Sequence, residues 1–457
     1  MNLSQHAAVA GIGKKWLWLV ITVWLLLNFA LLRVYYLPTP KILVGDEFDY
    51  HARALALLAG QPVIEQFIWP PGQTWFLAAI GLVSGSSLLA VQLLQTLLLG
   101  ACAYLLMRLW RTLDSPLAAL LAAAIFLLNP ANLAYAHWLW PEVTHLICLL
   151  GALALLLTVS QRPRTCALLA GLLIGLALLF KSLLAGLWPV FFLFFLKRQD
   201  GRRRFAWISA TSFAAGVLLA TLPALWKGQV ETGRPMIADS SMYNLEIGIR
   251  DTSRSDYIDE AGLPALTAYL ESASHPKERN AMALDRIRQQ VAERGLVDII
   301  GEQLGSQYFR LFNAKTLLVS QMPGPACTGH LGAYAQNPMG PALTGLSHVA
   351  HSLTLVLCAF GLAFWRRWSK PLAAFVAIYL VYQLALYSGL HVMQRYLFQM
   401  MPFLCGFAGS FLATIIQRNT AETALKFNRW RIALGSGLAL LLLCLAWLGP
   451  ILDGNCQ

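Results

Sequence analysis

Three acidic residues stand together in VGDEFDYHARALALLAGQP, Val44–Pro62: Asp46, Glu47 and Asp49. A carboxylate there can take a proton from an incoming hydroxyl, or it can cap a helix through the exposed N–H groups of the first turn. Spacing alone leaves both uses open. If 46–59 is helical, Phe48, Ala52, Leu55 and Ala59 share one face, as in an amphipathic helix lying at an interface. Two cations stand far away in sequence. Lys181 lies in the middle of the apolar run 166–196, and Arg395 lies in HVMQRYLFQMMPFL. A lysine inside an apolar hairpin is costly unless it reaches water or an anion, and the plainer reading is that it snorkels to the headgroups. Arg395 falls in a turn on the same side, where basic residues are less expected. Two separated cations at one depth fit a bound phosphate. With the carboxylates, they fit a displacement in which a lipid-linked phosphate departs while a carboxylate deprotonates a hydroxyl. Three neighbours fall on the same side: the rigid Trp69-Pro70-Pro71-Gly72 turn, Pro141-Glu142, and His145 one turn on.

The elements that must position these residues are membrane helices. The 457 residues are 58% hydrophobic and 12% charged, a composition that excludes a soluble enzyme. Apolar runs of roughly 15–22 residues recur throughout. The chain is therefore expected to be an all-α polytopic membrane protein. Its net charge of +12 is explained by cytoplasmic loops rich in Lys and Arg, not by nucleic acid. Basic clusters at 14–15, 108/111, 162/164, 197–204, 366–370 and 418–431 are placed inside. Spans then fall at about 16–37, 88–107, 116–130, 140–158, two within 166–196, 205–223, 343–364, 371–388, 396–416 and 431–450. That is roughly eleven (10–13) with the N-terminus cytoplasmic. The run 16–37 is too long for a cleaved signal and is read as a retained helix. Thr74–Val83 is short, a half-helix or a tilted span. This divides the chain into an N-terminal transmembrane catalytic module, 1–223, with a first outer loop at 38–87; an extracytoplasmic region, 224–342; and C-terminal transmembrane helices, 343–457. Within the middle region, Pro276–Gln290 and Arg294–Asn313 are predicted as helices. No fixed-period repeat is evident.

Cys102, Cys148, Cys166, Cys358, Cys405 and Cys444 sit in or beside apolar helices as small packing residues. Cys327 and Cys456 both fall outside, where oxidation prevails, and are predicted to pair. No Cys/His spacing suggests zinc. A divalent ion bridging Asp46 or Glu142 to a phosphate is compatible with their hard oxygens, but none is required, because Lys181 and Arg395 supply the charge. Most of the 15 tryptophans belong to interfacial belts. Trp69, Trp138 and Trp140 stand beside the proposed site.

The order of several stretches resembles the GT-C superfamily of membrane glycosyltransferases, in particular bacterial relatives of the protein O-mannosyltransferases and the aminoarabinose lipid A transferases. GDEFDYHARALALLAG resembles the family's first outer loop with its acidic pair. FIWPPGQTWFL resembles the Pro-Pro element that returns that loop to the membrane. LWPEVTHLICLL resembles the helix with an acidic outer end, and ALLFKSLLAGLWP the hairpin with a phosphate-facing lysine. GRPMIADSSMYNLEIGI resembles the segment opening the large outer loop, and QRYLFQMMPFL the Arg-Tyr…Pro element of a late helix. The resemblance implies an inverting transferase that uses a polyprenyl-phosphate-sugar donor, such as an undecaprenyl one, on the outer face. Carried over, Asp46 is the general base, supported by Glu47. Lys181 and Arg395 bind the donor phosphate. Tyr50, Glu142, His145, His391, Tyr396 and Trp69 are further substrate-binding candidates. Departures from the family pattern are Trp69 where His or Lys often precedes the Pro pair, and Ser182 where Gly or Pro often follows the lysine. The acceptor is a lipid, a polysaccharide or a protein, and the expected location is a bacterial inner membrane with the site facing the periplasm.

Two other classes compete. A transporter or flippase of a lipid-linked sugar would share the cationic outer site but needs polar residues through the membrane, and the helix interiors are nearly free of charge. A polymerase or ligase of pyrophosphate-linked oligosaccharides would differ in donor size, and the acidic pair after the first helix argues against it. A non-catalytic partner with the same fold would have no need of Asp46, Lys181 and Arg395.

Overall fold

The computed structural model describes residues 19–30, 41, 43, 45–61, 67–157, 163–199, 202–250, 254, 266–314, 317, 340–417 and 428–453. Cys327 and Cys456 lie outside the described residues. Five described helices are long and apolar enough to cross a membrane: Leu88–Leu113, Pro163–Phe180, Trp207–Thr232, Ala342–Phe364 and Arg429–Leu452. Six shorter apolar helices accompany them: Leu19–Ala30, Gly72–Ser84, Pro116–Leu128, Glu142–Leu157, Pro371–Tyr387 and Met401–Gln417. The all-helical polytopic architecture expected from the sequence is thus present.

The helix boundaries have local causes. Ser87 and Ser115 accept hydrogen bonds from Ala90 N (3.4 Å) and Ala118 N (3.1 Å), capping the helices at Leu88 and Pro116. Pro116 also sits in the first turn, where its missing N–H costs nothing. Gly233 ends Trp207–Thr232 in the left-handed region (φ 70°), a backbone state open to glycine without strain. This last helix runs on past Pro223, where the hydropathy placed its end, to Thr232.

Helices Pro163–Phe180 and Trp207–Thr232 pack backbone to backbone. A Cβ on Gly171 would lie 2.0 Å from Phe213 O, and one on Gly216 would lie 2.2 Å from Leu168 O. Small residues of this kind let membrane helices approach closely, where dispersion contacts replace the hydrophobic effect.

The run 166–196 departs from two expected helices. One helix ends at Phe180, Lys181 follows in an extended conformation, and the chain returns as short 3-10 segments, Ser182–Leu184 and Trp188–Phe195. Pro189, near the start of the second segment, has no N–H for an α-helical bond. The basic stretch 197–204 is not a plain loop. Leu196–Gln199 and Arg202–Phe205 form an antiparallel hairpin with Leu196 opposite Phe205.

The two ends of the bundle differ in chemistry. At one end Arg367 donates to Leu113 O (2.8 Å) and pairs with Asp114, and Arg431 donates to Phe364 O (3.0 Å). Asp46, Glu142, Lys181 and Arg395 gather at the other. Over that second end lie the helices Ser240–Arg250, Pro276–Arg294 and Leu296–Phe312. Gly295 (φ 82°) separates the last two. Asp239 accepts from Tyr269 Oη (3.4 Å) and lies 3.7 Å from the buried Arg279. Its backbone N–H donates to Phe67 O, which ties this layer to the turn before Trp69.

Candidate active site

The site is a cavity of about 210 Å³ between the ends of the apolar helices and the helix Ser240–Arg250. Its walls include Tyr50, Trp69, Glu142, Lys181, Arg395 and Tyr396, six of the residues singled out from the sequence. They come from five separate parts of the chain.

Glu142 is the centre of the charge cluster. It opens the helix Glu142–Leu157, with its side chain 1% exposed. Its Oε1 accepts from Lys181 Nζ at 2.8 Å and lies 3.8 Å from Arg395 Nε. Arg395 Nη2 donates to Asp46 Oδ2 at 2.5 Å. The result is a chain of alternating charge, Lys181–Glu142–Arg395–Asp46, in which each buried charge has an opposite neighbour. Burial pushes the Lys181 ammonium down from its ordinary value, and Glu142 opposes that shift.

Aromatic rings complete the cradle. Lys181 Nζ sits 4.4 Å from the Tyr396 ring centre, and the Arg395 guanidinium sits 4.7 Å from that of Trp140. Ring faces are negative, so each holds a cation without neutralising it. Trp140 in turn stacks on Trp138 at 4.0 Å. Tyr135 Oη donates to the Arg395 carbonyl (3.3 Å), which fixes the short 3-10 helix Gln394–Gln399.

Asp46 begins the helix Asp46–Leu58. Phe48 and Leu55 on the outer face of that helix are 58% and 41% exposed, while Glu47, Tyr50 and Ala54 are buried against the protein. This is the disposition of an interfacial helix. Three residues read as site candidates are not among the cavity walls: Glu47, His145, and Asp46, which meets the cavity only through its pairing with Arg395. Glu47 is fully buried; its Oε1 accepts from Leu139 N at 2.7 Å and lies 2.9 Å from Lys41 Nζ. It anchors the helix Asp46–Leu58, because its position one residue after Asp46 turns it about 100° around the helix, into the protein. His145 is also fully buried, with Nδ1 2.9 Å from the Ala177 carbonyl, where it ties two helices together.

His391 does line the cavity, and is 5% exposed. Other walls were not singled out from the sequence: Ser240, Ser241, Asn244, Tyr382 and Tyr387. Arg310, behind His391, was also missed. It shares its buried helix face with Gln303, Ser306 and Gln307, so no apolar pattern singled it out. The buried glutamines Gln73 and Gln95, amides in apolar runs, were readable as anchors. They donate to Leu139 O (2.9 Å) and Trp138 O (2.6 Å) and hold the loop before Glu142. Among the described residues, no group of three or more His, Cys, Asp or Glu gathers as a metal site. Glu142 on the cavity wall, and Asp46 next to it through Arg395, are the carboxylates that a hard cation would use.

Residues 67–280, a little under half of the chain, match glycosyltransferase family 87. No curated protein matches this sequence. The oligosaccharyltransferase of Archaeoglobus fulgidus in its apo form superposes with a TM-score of 0.52 at 15% identity, over 96% of this chain and 56% of that one. The same archaeon's oligosaccharyltransferase AglB, in complex with an inhibitory peptide and a dolichol-phosphate, gives 0.49 at 13% identity, over 96% and 55%. ArnT from Cupriavidus metallidurans, bound to undecaprenyl phosphate, gives 0.41 at 17% identity, over 88% and 77%. The chain spans about half the length of the archaeal structures. The first of these likenesses is one of fold. Over residues 67–280 the chain is also similar in sequence to a glycosyltransferase family.

Proposed function

We propose that this protein transfers a single sugar from a polyprenyl-phosphate-linked donor to an acceptor hydroxyl, with inversion, on the outer face of the membrane that holds it. The observation that carries the reading is the convergence of Lys181 and Arg395, from distant parts of the chain, on one cavity beside Glu142 and Asp46. Two cations already balanced by carboxylates can exchange those partners for a phosphate at small cost in net charge.

In the proposed step the acceptor oxygen forms a bond to the anomeric carbon. The bond from that carbon to the phosphate oxygen breaks, and its electron pair leaves with the phosphate. The acceptor proton passes to Asp46. Lys181 and Arg395 stabilise the charge that builds on the departing phosphate. Asp46 is held by Arg395 until the phosphate takes its place, so the base is released where and when the donor binds. Attack opposite the leaving group inverts the anomeric centre. The cation pair supplies the charge that a divalent ion otherwise would.

The test is transfer in membranes given a panel of radiolabelled polyprenyl-phosphate sugars. A labelled glycoside formed by the wild type supports the reading and names the acceptor class. Movement of donor across the bilayer without a glycoside replaces it with a transporter.

A further inference from the structure

The helix Leu296–Phe312 is inside out. Its buried face carries polar side chains, Gln303, Ser306, Gln307 and Arg310, with Ile299 beside them. Its uncovered apolar residues are Val297 (82% exposed), Ile300 (45%) and Leu304 (42%). At about 100° per residue these three fall within about 60° of arc, and the half-buried Tyr308 continues their line one turn on. The acidic Asp298 and Glu302 are exposed on the far side from that stripe, where Glu302 pairs with Arg294. A Cβ on Gly301 or Gly305 would meet nothing within 4 Å, so among the described residues no element covers this outer side.

The stripe continues the lipid-facing surface of the bundle. Tyr308 Oη donates to Leu384 O at 3.1 Å, in the last turn of the apolar helix Pro371–Tyr387. Ile378, Val381 and Ala385 are exposed on one face of that helix, the face that an apolar helix of a membrane bundle turns to the acyl chains. A tyrosine at the end of such a face sits where interfacial aromatics do. Aliphatic residues on one side and carboxylates on the other are what a helix lying at a membrane surface presents. Three aliphatic side chains in single file fall far short of the about 20–30 residues a side of a stable protein interface. The polar face holds the cavity. Gln303 Nε2 donates to Gly389 O (3.4 Å), Gln307 Nε2 to Gly248 O (3.3 Å) and Arg310 Nη1 to Val392 O (3.4 Å). His391 N donates to Asn244 O at 2.7 Å. The loop 389–392 and the helix Ser240–Arg250 are thus both held by Leu296–Phe312, and they bring Asn244, Leu390 and His391 to the cavity wall.

We propose that the helix Leu296–Phe312 is seated in the membrane surface on the cavity side, with Val297, Ile300, Leu304 and Tyr308 among the lipid chains, and that this seat holds the loop 389–392 in place as a wall of the cavity. The partner is the bilayer itself. The contact does not depend on which reaction the cavity performs. Without lipid along the stripe the helix is free to tilt, and the carbonyls of Gly248, Gly389 and Val392 then lose their donors together.

The experiment places a nitroxide in turn on Val297→Cys, Asp298→Cys, Ile300→Cys, Glu302→Cys and Leu304→Cys of the full chain, in vesicles of phosphatidylethanolamine and phosphatidylglycerol, with the unsubstituted protein as blank. Molecular oxygen concentrates among acyl chains, and a nickel chelate stays in water. Labels at 297, 300 and 304 are expected to relax with oxygen, and those at 298 and 302 with the chelate. Chelate access at all five positions would overturn the seat. So would protection of 297, 300 and 304 from both reagents, which would mean that a protein covers the stripe. The link to the cavity is read separately, from amide hydrogen exchange at His391 in the same vesicles. Ile300→Asp changes an exposed side chain, so the fold stays, and it is expected to speed that exchange about 10-fold, the scale of one hydrogen bond. Ile300→Phe should leave the exchange unchanged. Gln307→Ala should speed it as well, with the nitroxide pattern kept. Wild-type exchange in either Ile300→Asp or Gln307→Ala would overturn the link.

Discussion

Arg395 makes three contacts of different kinds. It donates to Asp46 and pairs at longer range with Glu142, and its plane lies over Trp140. A lysine has one compact charge and no plane, so it cannot serve all three. Arg395→Lys is therefore predicted to cut transfer by about 100-fold, the scale of losing one oxyanion donor, with the protein still folded by size-exclusion chromatography. Glu142 tests the cluster differently. Glu142→Gln leaves the Lys181 ammonium, 13% exposed, without its carboxylate. Removing one member of such a pair costs about 3–5 kcal/mol, so the melting temperature in detergent should fall. Inorganic phosphate should raise it more in this variant than in wild type. The His391 ring has Arg310 and Arg395 as its charged neighbours and is held neutral. The rate should therefore show no imidazole inflection between about pH 6 and 8, and wild-type and His391→Gln profiles should superimpose. An acid limb present only in wild type would contradict this. Lys181, Arg395 and Asp46 were legible because a charge in or beside an apolar run needs a reason. Glu47 looked equivalent to Asp46 in sequence, and only the helix phase separates the buried anchor from the residue that pairs with Arg395. His391 was readable as a polar residue in an outer turn; Arg310 behind it was not, because nothing local ties one to the other.

The elements depend on close approaches that a single carbon disturbs. Gly216→Val would drive a side chain into Leu168 O, which a Cβ already meets at 2.2 Å. Helices Pro163–Phe180 and Trp207–Thr232 would have to part, and the variant is expected to aggregate on extraction. Gly248→Ala is milder and more informative. The added carbon meets the backbone of Leu390 and His391 at 2.6 Å, so the loop carrying His391 must shift while the charge cluster stays. Overpacking of this kind costs about 1–3 kcal/mol. Transfer should fall more than donor binding, measured by equilibrium binding and kcat/KM on the same preparation. Hydropathy recovers the spans closely because apolar length is set by the bilayer. It cannot see that 182–195 returns as 3-10 turns or that 196–205 pairs as a hairpin, since both depend on packing and hydrogen bonds rather than on composition.

At the scale of the whole molecule, the charged cluster and the basic residues of the loops lie at opposite ends of the apolar helices. The basic residues Arg367 and Arg431 bind carbonyls at one end of the bundle, and the cavity opens at the other. A membrane-impermeant maleimide should therefore label Ser241→Cys and Trp368→Cys from opposite sides of sealed vesicles; labelling of both from one side would contradict the proposed sidedness. The resemblance in sequence order reached this class of fold because acidic loop, Pro-Pro turn, lysine hairpin and Arg-Tyr element recur in sequence. It did not reach the neutral cavity walls Ser240, Asn244 and Tyr387, because they converge only in three dimensions.

The central claim is a division of labour, with Lys181 and Arg395 for the phosphate and Asp46 for the proton. The most direct measurement is donor binding and transfer on the same samples, comparing wild type, Asp46→Asn and Lys181→Met with a radiolabelled polyprenyl-phosphate hexose. The account predicts that Asp46→Asn binds donor and makes no glycoside, while Lys181→Met loses donor binding. If Asp46→Asn transfers at the wild-type rate, or Lys181→Met binds donor as wild type does, the cluster does not perform the chemistry assigned to it.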